Sequence, residues 1–288
     1  LTVRHLQPFF EHKNLVVWSQ IEKVKDIEEI MHPSVRETLK FLNIRDGLGI
    51  HYDGDLPARV GLGSSSAFTV GFLNALHVLQ GREASKQQLA RDAIHIEQNL
   101  IKENVGSQDQ VAAAFGGFNK VEFGGADEFY VTPLDLRPGK LQRLQDHLML
   151  FFTGFSRTAS DIAGEEIKNT AQKTEELRAM ASMVDEASEI LKSGDDRLED
   201  FGRLLHEGWK IKRTLSSKVT NSAIDAIYEE ALRAGALGGK LLGAGGGGFL
   251  LIFANPEAQH RIKEKLGHLL HVPFQFENLG SHIIHRAA

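Results

Sequence analysis

The chain has 288 residues, a net charge of −5, 42% apolar and 25% charged residues, the bulk of one large or two ordinary globular domains. Its acidity excludes nucleic-acid binding by bulk charge, and with no cysteine there is neither a disulfide framework nor a thiolate metal site. The strongest apolar run, Phe249–Phe253, is strand-sized and no secretory signal is visible, so the expectations are no membrane partner and a cytoplasmic location.

In chain order, Leu15 to Ile21 alternates weakly and predicts a strand. Ile27, Ile30, Met31, Val35, Leu39 and Leu42 recur at helical spacing, and Pro33 divides that span into two helices, the second opening near the proline. Gly47 to His51 predicts a short strand. Helices are expected over Ser66–Leu79, over Ser85–Glu103 behind a Ser85-x-x-Gln88 capping box, and over Val111–Phe115 before Gly116-Gly117. Strands are expected at Phe118–Glu122, Glu128–Val131 and Leu148–Phe152. A helical tract from Ser160 to Lys192 follows, then helices over Leu198–Leu215 and Ser222–Ala234. Strands at Gly248–Phe253, Val272–Glu277 and His282–His285 surround a helix from Glu257 to Leu270. The order is α+β, without regular β-α alternation, and Pro138-Gly139 sets a domain boundary, giving domains 1–139 and 140–288.

Three stretches carry chemistry. In Pro57-Ala-Arg-Val-Gly-Leu-Gly-Ser-Ser-Ser-Ala67, hydroxyl residues follow a Gly-x-Gly turn and lead into an apolar helix. Such a turn aims backbone N–H groups and the positive end of a helix dipole into one concavity, an anion site and most often a phosphate site. The second stretch, Gly238 to Gly248, has the letters of a dinucleotide fingerprint at Gly243–Gly248, but it precedes a strand instead of following one. It also lacks the earlier glycine of a Walker A loop. What remains is a glycine-dense backbone that something approaches closely. The third, Val105-Gly-Ser-Gln-Asp-Gln-Val111, brings Asp109, and Glu97 lies on the helix before it. Two carboxylates beside a phosphate loop are the minimum for metal-assisted phosphoryl transfer. Alone, Glu97 reads as a solvated helix residue and Asp109 as a cap. The histidines show no zinc spacing, and Trp209 reads as core.

Together these stretches resemble the GHMP kinases. The central motif of that family stands as Pro57 to Ser66, and its C-terminal glycine motif as Lys240-Leu-Leu-Gly-Ala-Gly-Gly-Gly-Gly-Phe249. Phe10-Glu-His-Lys13, His32 to Glu37, Gly106 to Gln110, Thr153 to Arg157, His206 to Lys210 and Gly235 to Lys240 are similar to the branch acting on D-glycero-D-manno-heptose 7-phosphate. The resemblance implies a two-domain fold: a ribosomal-protein-S5-like N-terminal domain and a ferredoxin-like C-terminal one, with ATP and Mg²⁺ as cofactors. It implies that Gly61, Leu62, Gly63, Ser64, Ser65 and Ser66 wrap the ATP phosphates, that Ser65 and Glu97 hold Mg²⁺, and that Asp109 is the catalytic carboxylate. The loop of Gly243, Gly245, Gly246 and Gly247 then braces the phosphate loop and closes the sugar site.

Arg157 reads equally as a clamp on a substrate phosphate or as a surface arginine. Lys240 reads as a phosphate ligand or as a cap on a helix ending at Gly238-Gly239. The family opens with a strand and a glycine motif ending in Thr-Asp, and nothing like it is read before Leu15. The chain opens on Leu1, so the expectation is a chain that starts late. The activity expected is phosphorylation of a phosphoheptose. Kinases for galactose, fucose or mevalonate, or a non-catalytic sugar or nucleotide sensor, are the alternatives, and a homodimer is compatible with any of them.

Overall fold

A computed structural model describes residues 1–56, 61–125, 128–154, 159–194 and 197–286, the side chains of 159–161 excepted. Contacts divide the chain into two compact units. The first holds 1–58, 63–117 and 277–288; the second holds 59–62 and 118–276.

The first unit carries strands β1 (Thr2–His5), β2 (Asn14–Val17), β3 (Ile21–Val24) and β4 (Leu48–His51) in the order β1-β4-β2-β3. β2 and β4 run parallel and the other pairs antiparallel. Strand β1 therefore lies ahead of Leu15, where none was read. Thr2-Val3-Arg4-His5 has a single strong hydrophobe, and pairing with β4 makes it a strand. Helices α1 (Pro33–Phe41), α2 (Ser64–Leu79), α3 (Lys86–His95) and α4 (Gln108–Phe115) complete the unit. Pro33 opens α1 as expected, and the His32 ring accepts from Val35 N. Half of the capping box forms: Ser85 Oγ accepts from Gln88 N, but the Gln88 side chain donates to Asp92 instead. Val16, Ile30, Val35, Leu48, Ile50, Phe68 and Phe72 share one core, so α2 is anchored along its length and its N-terminus is held in place.

The second unit contains a hairpin, β5 (Asn119–Phe123) with β6 (Phe129–Pro133), and helix α5 (Lys140–Asp146). Next come β7 (Leu148–Phe152), helices α6 (Ala159–Asn169), α7 (Thr174–Lys192), α8 (Leu198–Lys212) and α9 (Ser222–Arg233), and β8 (Gly238–Leu241). β9 (Phe249–Phe253), α10 (Pro256–Lys265) and β10 (Leu270–His271) finish it. The sheet order β10-β7-β9-β8 is antiparallel throughout. Strand, helices, two strands, helix, strand is the ferredoxin-like plan. Met149, Phe151, Trp209, Ile224, Tyr228, Leu250 and Ile252 form its main core.

Two expectations are corrected here, and the compact units divide at another place than the expected boundary. The compact units part at Gly117, not Gly139: Phe118 and Leu136 pack with Leu144, Leu198 and Phe253, so the hairpin joins the second unit. Gly139 is the left-handed residue that opens α5. Residues 272–277 and 282–285 form no strand; in the first span Phe276 N donates to the Gln145 side chain, and just ahead of the second Ser281 N donates to Ala113 O. The helix before Gly238 ends at Arg233, and Gly238–Leu241 is the strand β8. Its glycines let α8 approach backbone to backbone, Gly202 O and His206 N lying where a Gly238 side chain would begin.

Candidate active site

In the first unit the site is built on α2. Gly63 is its N-cap in the left-handed conformation, φ 66° and ψ 22°, and no side chain among the described residues caps it. The first helical bond runs from Ala67 N to Gly63 O, so the N–H groups of Ser64, Ser65 and Ser66 have no intrahelical partner. Asp109 stands in the first turn of α4, which supplies the second wall. A Cβ on Gly63 would lie 3.0 Å from Asp109 Cγ and 3.3 Å from Oδ2. Two independent reasons thus require glycine at 63: the backbone conformation and the carboxylate packed on it.

Glu97 is not the solvated residue its helix suggests. It is 1% exposed. Helix α3 passes into one π-turn at Ile96–Leu100, a local widening often found at functional sites, and Glu97 sits inside it. Ser66 Oγ donates to its carboxylate at 2.8 Å and Thr69 Oγ1 at 2.7 Å; Gln110 Nε2 donates as well. Burial holds the Glu97 carboxyl above its usual range, and these three donors offset only part of that rise. The network ties the start of α2 to the residue beside Asp109. Ser66 is the hydroxyl that donates to Glu97, while Ser65, expected to share Mg²⁺ with Glu97, is exposed.

An aromatic group adjoins this turn and was not anticipated. His32 packs on Phe68 at 4.8 Å and on Trp18 at 4.9 Å, and Tyr52 packs on Phe68 at 4.9 Å. Glu22, 3% exposed, accepts from Trp18 Nε1 and from the His32 backbone. Burial lowers the His32 pKa against the pull of Glu22. Trp18, Tyr52 and His32 keep partly exposed faces. Their spacing in sequence gave no sign that they meet.

In the second unit, Gly61 and Leu62 pack against the glycine loop. Gly61 has φ 81° and Gly243 φ 71°; a Cβ on Gly243 would lie 2.7 Å from Gly61 Cα, and one on Gly61 2.8 Å from Leu242 O. The loop is tied down on both sides. Lys212 Nζ donates to Gly243 O at 2.6 Å, Gly246 N to Val219 O at 2.8 Å, and Thr153 Oγ1 to Gly248 O at 2.9 Å. Gly245 presses on Val219, while Gly246 and Gly247 are buried. Lys212 was missed in the sequence, where it reads as one more basic residue ending α8. Gly243→Ala should lower stability by roughly 1–2 kcal/mol from the left-handed backbone alone, and further through its collision with Gly61. Denaturant unfolding measures it, and a loss below about 0.5 kcal/mol, the size of an ordinary surface change, would show that the two loops part freely.

Lys240 is placed in β8 and not at a helix end. Burial, and next the charge of Lys212, lower its pKa to about 8. Trp209 is core, 1% exposed. Arg157 and Pro57–Val60 lie outside the described residues. Among the described residues no helix is long and apolar enough to cross a membrane.

Comparison with known proteins agrees with this division. The model of the GHMP kinases N terminal domain matches residues 28–117, and that of the GHMP kinases C terminal domain residues 186–271. A D-glycero-alpha-D-manno-heptose 7-phosphate kinase of Campylobacter jejuni is 33% identical over 220 residues, 75% of this chain; the chain spans 64% of that relative's length. The crystal structure of a D-glycero-D-manno-heptose 1-phosphate kinase from Bacteroides thetaiotaomicron superposes with a TM-score of 0.76 at 22% identity, covering 98% of this chain and 85% of that one. A mevalonate kinase of Methanococcus jannaschii gives 0.68 at 19% identity, covering 94% and 86%. The last two show the fold alone. Both halves match in order, the Gly63–Ser66 turn falls in the first match and the Lys240–Gly248 motif in the second, and the chain belongs to the GHMP kinase family.

Proposed function

We propose that this chain is an ATP-dependent sugar kinase that transfers the γ-phosphoryl group to the anomeric hydroxyl of a phosphorylated heptose. The substrate in this reading is D-glycero-D-manno-heptose 7-phosphate, the product the 1,7-bisphosphate, and the pathway nucleotide-activated heptose synthesis. The observation that carries it is Asp109 packed on Gly63 at the uncapped N-terminus of α2. Phosphoryl transfer needs the phosphates held and the acceptor hydroxyl oriented, with little covalent work left to the protein. The N–H groups of Ser64 to Ser66 and the α2 dipole hold the phosphates. Asp109 orients the hydroxyl and accepts its proton as the new P–O bond forms. The partly exposed faces of Trp18 and Tyr52, set beside α2, suit the adenine base. The heptose reading draws on the 33% identical relative.

Glu97 and Ser66 fit a magnesium ion, which prefers hard oxygens and takes few from the protein. The Oε1 atom of Gln110, buried beside Glu97 with no hydrogen-bond partner among the described residues, is a third such oxygen. Magnesium, when bound, neutralises charge on the nucleotide phosphates. Glu97→Gln is expected to raise the Mg²⁺ concentration for half-maximal rate; an unchanged titration would leave Glu97 a purely structural acid.

The substrate panel follows from the relatives' names, which set the resident phosphate at opposite ends of the sugar. ADP release should be fastest with heptose 7-phosphate. Faster turnover of heptose 1-phosphate, galactose, fucose or mevalonate would replace the substrate but keep the kinase. No ADP release with any of them would favour a sensor.

A further inference from the structure

The second unit contains a cavity of about 270 Å³ that the kinase reading leaves unused. It lies among the β5–β6 hairpin, α7 and α8, and its walls are mostly apolar side chains, with Met180 and Met183 on one side. Three nitrogen-bearing side chains on α8 and β8 break that surface. Trp209, 1% exposed, lines the cavity, and its Nε1–H is buried with no hydrogen-bond partner among the described residues. Lys240 lines it too, and among the described residues its ammonium has neither an ion pair nor a hydrogen bond. Lys212 lines it while donating to Gly243 O.

A buried donor without a partner is costly, and the half-buried Lys240 ammonium beside it has no counter-charge among the described residues. A sequence that keeps both at one apolar cavity fits a ligand that supplies the acceptors. We propose that this cavity binds a small amphiphilic anion: a single apolar chain or ring system ending in a phosphate or carboxylate. The head group takes the Lys240 ammonium and the Trp209 N–H, and the apolar body lies between α7 and α8. The thioethers of Met180 and Met183 adapt to its shape. A phosphosugar does not suit such walls, since its hydroxyls would lose water without gaining partners. Binding itself is independent of the kinase reading. Its effect on turnover rests on that reading: Lys240 stands near the end of β8, shortly before the loop at Gly243, and a head group that also attracts Lys212 competes with the Gly243 carbonyl.

Titration calorimetry on the full chain with octyl phosphate, octanoate, octanol and octylamine tests the proposal. The two anions should bind about tenfold to a hundredfold more tightly than octanol, the range of a charged hydrogen bond in a desolvated setting, and octylamine should not bind. The phosphate and carboxylate arms identify the preferred head group. Affinity for the anions should fall as pH rises past about 8, as Lys240 loses its proton. Gly208 lines the cavity, and a Cβ there meets only Met183 Cε at 3.8 Å and its sulfur at 4.0 Å. Gly208→Leu should therefore fill the cavity and abolish binding while ADP release without added anion is unchanged; Met183→Trp fills it from the other wall should the first variant not fold. Lys240→Met should cut the preference for anions over octanol about tenfold, the remainder coming from Lys212 and Lys120, which also line the cavity. Equal binding of octanol and the anions, undiminished binding in the filled variants, or no binding of either anion would overturn the proposal.

Discussion

Asp109→Asn is expected to lower kcat by about 10²-fold or more, the usual cost of losing a positioned base, equivalent to about 2.7 kcal/mol of transition-state free energy. Asparagine keeps the shape that packs on Gly63, so the turn and the start of α2 stay in place. It cannot accept the hydroxyl proton. ATP affinity should change little, because the phosphates are held by backbone N–H groups that the substitution does not touch. A fall in kcat and kcat/KM together with a steady KM for ATP would identify an interaction made in the transition state. A variant with near-normal kcat would remove Asp109 from the reaction and leave its carboxylate as packing for the turn.

Lys240→Met is expected to stabilise the protein at pH 7 by on the order of 3 kcal/mol, given that a pKa difference of one between folded and unfolded chain corresponds to about 1.4 kcal/mol. The folded-state pKa of Lys240 is about 8 against 10.5 for an ordinary lysine, with burial as the main cause and Lys212 next. A lysine with a depressed folded pKa destabilises the fold. That cost is fully present below about pH 8, where the side chain is charged in both states, and it disappears as pH rises towards the unfolded value. Methionine keeps the apolar stem and carries no charge into the cavity. Denaturant melts at pH 7 and pH 10 should show the gain shrinking at the higher pH. A pH-independent difference, or a loss of stability at pH 7, would mean that Lys240 bears no desolvation cost.

What the sequence revealed was local. Pro33 announced the start of α1, and the Gly-Leu-Gly-Ser-Ser-Ser run announced the start of α2, because both signals lie within one turn of the feature they specify. Asp109 was legible as a residue beside a glycine turn. Glu97 was not legible as a buried acid. Two of its donors, Ser66 and Thr69, stand 31 and 28 residues upstream, and nothing in an amphipathic helix pattern marks a π-turn that swings one acid inward. The same holds for Trp18, His32, Tyr52 and Phe68, which meet only because β2, β4, α1 and α2 share a core. Gly238-Gly239 misled because glycine ends helices and also permits close backbone packing. Only the approach of α8 shows which applies here. The expected strand at 272–277 failed where the Phe276 N–H goes to the Gln145 side chain, a partner distant in sequence.

The most direct test of the central claim is the position of the transferred phosphate. Incubation with ATP, Mg²⁺ and heptose 7-phosphate, followed by phosphorus and carbon NMR of the product, reports which sugar carbon couples to the new phosphorus. A new phosphate on the anomeric carbon, formed one-for-one with ADP and abolished in Asp109→Asn, is the predicted result. A phosphate on any other carbon, or ADP formed with no phosphosugar product, would contradict it.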